Sequence, residues 1–231
     1  MKELKLSLEK LVKVKRSKHH PLIHAIHKKY LISRRTLFYV KEYGPHTNVV
    51  KTIVKESIKI LLLASLISSL GGSSLEHIKT VFLSIVPLVI LLPTLNDMIG
   101  DYGTIVSSRF STMLHEGKVK SKWWLNEELK TLLVQLLIIA VITTLFSTLA
   151  SLLISKTSSY VLTLDTSLKI LIISLMDVIL LVSILFIIAI FAGLYFFKKK
   201  EDPNNLLIPI TTSVADFGNL IILSVLVRLI F

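Results

Sequence analysis

The sequence contains no cysteine, so it can form neither a disulfide framework nor a thiolate metal site. Acidic residues are also scarce, with 15 Asp and Glu against 27 Lys and Arg, which gives a formal net charge of +12. A glycine-rich phosphate-binding loop is absent as well, so the sequence itself gives no sign of ATP hydrolysis. Because cysteine is absent, any metal bound by this chain must have oxygen or imidazole ligands.

Apolar residues, in contrast, are abundant and are gathered into long runs. They make up 52% of the 231 residues, and the runs reach the roughly 20 residues needed to cross a hydrocarbon core about 30 Å thick. We predict an all-α polytopic membrane protein with five transmembrane helices, at 53–71, 79–108, 129–155, 166–197 and 206–230. The predicted domains are a basic cytoplasmic N-terminal region, 1–50, and a five-helix transmembrane domain, 51–231.

Basic residues are unevenly distributed between the two sides of these spans. They are concentrated before the first span, between the second and third, and at Lys198–Lys200 before the fifth. Because cytoplasmic loops carry the excess of Lys and Arg, this pattern predicts a cytoplasmic N-terminus and an external C-terminus. Trp123, Trp124 and Tyr195 lie at the same cytoplasmic ends, as in an interfacial aromatic belt. We therefore expect a multi-pass protein of the cytoplasmic membrane.

The first fifty residues combine helical spacing of apolar residues, at Leu4, Leu8 and Leu11, with many lysines. A basic amphipathic helix of this kind can bind anionic lipid, because each Lys or Arg near such a surface contributes about 1 kcal/mol. A short solvated helical appendage is the alternative.

Three histidines in the same region could chelate zinc or nickel, since they recur at helical spacing: His20, His24 and His27. Pro21 interrupts this face. Ordinary surface histidines are the alternative.

Polar residues form two stripes inside the predicted spans. An aspartate near a bilayer centre costs about 2.5–3.5 kcal/mol on insertion scales, so these groups must face protein or water. The second span carries one stripe at helical spacing: Asp97, Asp101, Thr104 and Ser108. The fifth span carries the other: Pro209, Thr212, Asp216 and Asn219. Two such stripes that faced each other would line a water-filled path.

The candidate metal ligands are the polar groups of these stripes and two acidic residues on other spans. They are Asp216, Asp101, Asp97, Asn96, Thr212, Asp177 and Glu56. A hydrogen-bonded structural carboxyl is the alternative for Asp216 and Asp177, and an ion pair with Lys55 or Lys59 is the alternative for Glu56. We assign no catalytic residue.

Short motifs lie within the two striped spans. The second span contains Pro93, Leu95, Gly100 and Asp101, followed by SRFST at 108–112. The fifth contains DPNN at 202–205 and PITTSVAD at 209–216. Together they resemble the integral-membrane domain of MgtE-type magnesium transporters and the solute carrier 41 family, over about residues 53–231. The resemblance implies an ion transporter, not an enzyme, with Asp216 as the central ion-binding carboxylate.

The same resemblance implies a homodimer, because the solute carriers look like two such repeats in one chain and this chain has a single repeat. The groups themselves favour a hard divalent cation, since they are carboxylates, hydroxyls and amides. Mg²⁺ keeps several of its waters and suits a wide site with few carboxylates, so we expect it as the transported and bound ion. Ca²⁺, Mn²⁺ and Co²⁺ meet the same oxygen requirement. We expect no nucleic-acid partner.

Two other functions fit parts of the sequence. One is a non-catalytic membrane subunit of a larger transporter. The other is an integral-membrane enzyme of the CDP-alcohol phosphotransferase type, although the next aspartate after Arg109 is Asp165, across another span, and this spacing does not match that family. For a transporter, the sequence is compatible both with a channel and with a sodium- or proton-coupled exchanger.

Overall fold

The structure is a computed structural model that describes residues 2–12, 21–32, 37, 49–119, 123–158, 160–199 and 201–231. The longer helices in these ranges are α1 (Lys2–Val12), α2 (Pro21–Tyr30), α3 (Val49–Ser84), α4 (Val86–His115), α5 (Glu127–Thr157), α6 (Leu164–Lys198) and α7 (Pro203–Ile230). A 3-10 turn at Trp123–Leu125 precedes α5. The described ranges contain no strand, so the predicted all-α class is confirmed.

The chain divides into two compact units, residues 1–59 with 199–201 and residues 60–198 with 202–231. The first unit has a small core of its own, formed by Leu11, Ile23, Ile26 and Leu37. An exposed ion pair of 2.9 Å joins Lys29 Nζ to Glu3 Oε2 in this unit. The hydrogen bond and positive charge of Lys29 lower the pKa of Glu3.

The predicted histidine cluster lies only partly within the described residues. His20 and the side chain of His24 fall outside them. His27 Nδ1 lies 2.7 Å from the carbonyl oxygen of Ile32, directly after α2. One ring nitrogen of His27 is therefore engaged by the backbone.

Four helical segments in the described ranges are long and apolar enough to cross a membrane: Ser57–Ser84, Glu127–Thr157, Leu164–Lys198 and Pro203–Ile230. They support the multi-pass character that the apolar runs predict. The three C-terminal helices lie within about three residues of the predicted spans. Helix α4 is not among the four, because its apolar residues are interrupted by the polar stripe.

The predicted boundary between the first two spans is wrong. The predicted spans leave residues 72–78 between them, but α3 continues through Gly71 and Gly72 to Ser84, and the break lies at Ile85. Pro87 explains this position, because proline lacks an N–H and its ring clashes with the preceding helical turn, yet it fits the first turn of a new helix. A glycine inside a helix costs only about 1 kcal/mol relative to alanine and does not end it.

Side-chain caps fix the starts of the helices that follow. Asn126 Oδ1 accepts hydrogen bonds from the backbone N–H groups of Glu128 and Leu129 at the start of α5. Asp202 Oδ1 accepts one from Asn204 N, and Pro203 follows it as the first residue of α7. An acceptor at the cap and a proline just inside the helix are favourable signals, so DPNN is also a helix start.

Helices α4, α5, α6 and α7 form the core of the second unit, in which α4 and α6 each pack against the other three. The buried face of α4 carries Leu91, Leu95, Ile99 and Phe110. Hydroxyl pairs also join the helices: Ser107 with Thr211 and Thr148 with Ser174, each at 2.9 Å. Small hydroxyl residues of this kind let membrane helices approach closely and form hydrogen bonds with each other.

Candidate cation site

Asp216 on α7 accepts hydrogen bonds from side chains of two other helices. Its Oδ1 accepts one from Asn96 Nδ2 of α4 at 2.8 Å, and its Oδ2 accepts one from Ser68 Oγ of α3 at 3.1 Å. Asp216, Asn96 and Ser68 are each half-buried. A carboxylate has about four lone-pair sites, so two hydrogen bonds leave capacity for a cation or its water.

Asn219, one turn beyond Asp216, extends this group. Its Nδ2 donates to Asn96 Oδ1 at 3.0 Å, and its side chain is completely buried. Asn219 Oδ1 has no hydrogen-bond partner among the described residues. We call Ser68, Asn96, Asp216 and Asn219 the Asp216 network.

Small residues let the three helices approach closely enough to form this network. A Cβ atom at Gly71 of α3 would lie 3.1 Å from Phe217 Cα, and one at Gly103 of α4 would lie 3.2 Å from Thr211 Cβ. Both glycines thus face the backbone of α7, within eight residues of the network along each helix. Pro93 adds a local polar group, because its missing N–H leaves the carbonyl of Val89 without its usual helical donor.

The predicted stripe on α4 lies on the outer face of that helix. Asp97, Asp101 and Ser108 are exposed, and Thr104 is half-buried with its hydroxyl bonded to Gly100 O. Asn96 points to α7 instead. The two acidic groups of α4 are therefore turned away from the helices of their own chain.

The remaining predicted ligands do not join the network. Thr212 Oγ1 donates to Ile208 O of its own helix at 2.9 Å. Asp177 on α6 is completely buried, and neither of its oxygens has a hydrogen-bond partner among the described residues. Glu56 lies in the part of α3 that belongs to the first unit, and its side chain falls outside the described residues.

The structure thus brings together two of the predicted ligands, Asn96 and Asp216, and adds Ser68 as a contact that the sequence did not indicate. Helical spacing places Asn219 on the Asp216 face but indicates no role for it. For Ser68, the available signal was its position in the small-residue segment SSLGGSS, which permits close helix approach. In the described part of the chain, no three His, Cys, Asp or Glu residues are grouped so that they could hold a metal.

A cavity of about 520 Å³ lies between the C-terminal half of α4 and the first turns of α5. Lys118 lines this cavity. Its Nζ lies 2.9 Å from Glu116 Oε2 and 3.5 Å from Glu128 Oε2. The hydrogen bond to Glu116 and the charges of both glutamates raise the pKa of Lys118. Thr112 also lines the cavity and lies one turn after Ser108, so the cavity adjoins the exposed stripe of α4.

The chain matches the model of a known family. The family model described as "MgtE: Divalent cation transporter" matches residues 92–226, which is more than half of the chain. The matched region runs from α4 to α7 and contains Asn96, Asp216 and Asn219 but not Ser68. Searches of curated proteins and of solved structures found no match.

Proposed function

The chain belongs to the MgtE family of divalent cation transporters, and from this premise we propose that it carries Mg²⁺ across the cytoplasmic membrane along a carboxylate-lined path where two copies meet. The family consists of transporters and not of enzymes, which removes the phosphotransferase alternative. The observation that carries the finer proposal is the Asp216 network, in which a carboxylate is held between three helices with lone pairs to spare.

The composition of the network supports Mg²⁺ as the cargo. Carboxylate, amide and hydroxyl groups are hard ligands, which suit Mg²⁺, Ca²⁺ and Mn²⁺ better than soft metals. Mg²⁺ usually retains several waters and is held by one or two carboxylates, so it does not need a complete cage of protein ligands. Asp216 with Asn96 is a site of this kind, and Thr212 lies one turn before it on the same face.

The outer face of α4 supports the path between two copies. Asp97 and Asp101 are exposed in the single chain, and contact with lipid would cost about 2.5–3.5 kcal/mol for each. A second copy in the same membrane orientation would cover both groups and leave water between them. Repulsion among the carboxylates of two copies would then favour a bound cation.

Helix α4, the second span in chain order, completes the five spans of this proposal. Its 30 residues give a length of about 45 Å, and it packs against α5, α6 and α7. The distribution of Lys and Arg supports an N-terminus inside and a C-terminus outside. The basic first unit then faces the anionic inner leaflet, with Leu6 and Lys10 exposed on α1.

The test is Mg²⁺ flux into proteoliposomes that contain the purified protein and no ATP, repeated with Ca²⁺, Mn²⁺ and Co²⁺. Flux without ATP separates a transporter from an accessory subunit that needs an ATPase. We expect Asp216→Asn to reduce Mg²⁺ flux by at least about tenfold, because it removes the charge and keeps the size.

Asp165→Asn is the matched control, since Asp165 is exposed at the start of α6 and paired with Lys169 at 2.8 Å. It should transport at the parental rate. A folded Asp216→Asn protein that also does so would end the assignment of Asp216.

A further inference from the structure

The hydrogen bonds of the Asp216 network have a direction that chemistry fixes. An ionised carboxylate only accepts, so the atom of Asn96 that faces Asp216 must be Nδ2. The Oδ1 atom of Asn96 then faces Asn219 and accepts a hydrogen bond from Asn219 Nδ2. The orientations of both amides thus match a carboxylate that accepts from Asn96.

We propose that Asn219 is a positioning residue for cation binding at Asp216 and acts through Asn96. This inference rests on the proposed function, because it concerns the affinity of the same site. The donor from Asn219 holds the Asn96 amide with Nδ2 toward Asp216. Asp216 consequently keeps one fixed orientation, in which its unused lone pairs remain available to the cation or to the water that the cation carries.

The burial of Asn219 supports this role. The side chain is completely inaccessible, so solvent cannot replace Asn96 as the acceptor for Asn219 Nδ2. Its Oδ1 has no partner among the described residues, and a buried acceptor without a partner is unfavourable and calls for an explanation. The role in orienting Asn96 is such an explanation. If the Asn219 amide rotated, its Nδ2 would no longer donate to Asn96 Oδ1.

Without Asn219, the Asn96 amide is free to rotate. It can then turn Oδ1 toward Asp216, where two acceptor oxygens repel, or leave the carboxylate unsupported. Partners that orient a metal ligand typically change metal affinity by about 10–100-fold when they are removed. We therefore expect the effect in cation affinity, while the maximal rate changes less.

The experiment measures the Mg²⁺ concentration for half-maximal flux in proteoliposomes for Asn219→Ala, Asn96→Ala and the double variant. We expect Asn219→Ala to raise this concentration by about tenfold and Asn96→Ala to raise it by at least as much. The double variant should equal Asn96→Ala alone, because Asn219 has nothing to orient when the Asn96 amide is absent. Additive effects of the two substitutions would overturn the relay.

Two further variants separate positioning from packing. Asn219→Leu fills a similar volume without a donor, so it should match Asn219→Ala if the donor matters and the parent if packing matters. Ser224→Ala is the control on the same helix, because Ser224 is buried and its hydroxyl donates to Leu220 O of its own helix. Its affinity should stay within about twofold of the parental value, below the effect expected for an orienting partner.

Thermal unfolding in detergent identifies the variants that are folded, and Asn219→Leu replaces Asn219→Ala if the latter is not. The same series distinguishes the two levels of inference. If the parental protein carries no Mg²⁺, the proposed function fails. If the parent carries Mg²⁺ and folded Asn219 variants keep its affinity, only the relay fails.

Discussion

Asp216 and Asp177 are both aspartates in the middle of long helices, but their carboxyl groups have different surroundings. Asp216 is half-buried and accepts two hydrogen bonds. Asp177 is completely buried, and among the described residues nothing bonds to either of its oxygens. The helices packed on α6 offer no nearby cation among the described residues: α5 has no charged residue between Lys130 and Lys156, and Arg109 of α4 and Arg228 of α7 are exposed.

These surroundings lead to a prediction for Asp177, which the sequence suggested as a ligand. Asp177→Leu removes a buried polar group without a partner and keeps its approximate volume. We expect the variant to be more stable by about 1–3 kcal/mol, measured by unfolding in detergent, and to carry Mg²⁺ within about twofold of the parental rate, below the effect of removing an orienting group. If the folded variant has lost transport, Asp177 belongs to the cation path after all.

At the scale of helices, glycines determine where the elements of the bundle approach one another. A Cβ atom at Gly193 of α6 would lie 2.7 Å from Phe110 Cε1 of α4 and 3.1 Å from Leu207 Cδ1 of α7. Phe110 is fully buried, so its ring has little room to move. Gly193 is therefore the point at which α4, α6 and α7 converge near the start of α7.

We predict that Gly193→Ala destabilises the protein by about 1–3 kcal/mol, since it overpacks this contact. The matched control is Gly72→Ala in α3, where a Cβ atom meets nothing within 4 Å. That substitution should be neutral or stabilise by up to about 1 kcal/mol, because alanine favours the helix more than glycine does. Thermal unfolding of both variants measures the difference, and equal stabilities would contradict the packing.

The positions of the helices could be predicted from sequence where a long apolar run corresponds to a membrane-spanning helix. Long apolar runs located α5, α6 and α7, although the cap at Asp202 starts α7 three residues before the predicted span. The end of α3 could not be located in this way, because Gly71 looks like a helix breaker, while its actual role is close approach to Phe217. A glycine pattern alone does not distinguish a turn from a tight contact.

The candidate site was likewise only partly predictable from the sequence. Helical spacing placed Asp97 and Asp101 on one face, and the motifs singled out Asp216. Helical spacing could not supply Ser68, because its contact with Asp216 joins residues 148 positions apart and depends on the relative register of two helices. The contact of Asn219 with Asn96 could not be predicted for the same reason, because it depends on how α4 packs on α7.

At the scale of the whole molecule, the outer faces of the helices differ in polarity. The exposed face of α5 is apolar, with Ile138, Ile142, Phe146 and Leu149. The exposed face of α4 instead carries Asp97, Asp101 and Ser108. A face like that of α5 suits lipid, whereas the face of α4 needs protein or water against it.

This difference leads to the prediction of a homodimer with a twofold axis along the membrane normal, in which α4 faces α4 of the other copy. The absence of native cysteine permits a direct test. A cysteine at Ser108 should give a crosslinked dimer in membranes. Added Mg²⁺ should change its yield, because the proposed path between the copies runs past Asp97 and Asp101, which share this face of α4. A cysteine at Leu149, on the apolar face of α5, should stay monomeric under the same conditions. The path between copies is excluded if Ser108→Cys does not crosslink and the protein transports Mg²⁺ as a monomer by mass, since Asp97 and Asp101 would then need water inside a single chain.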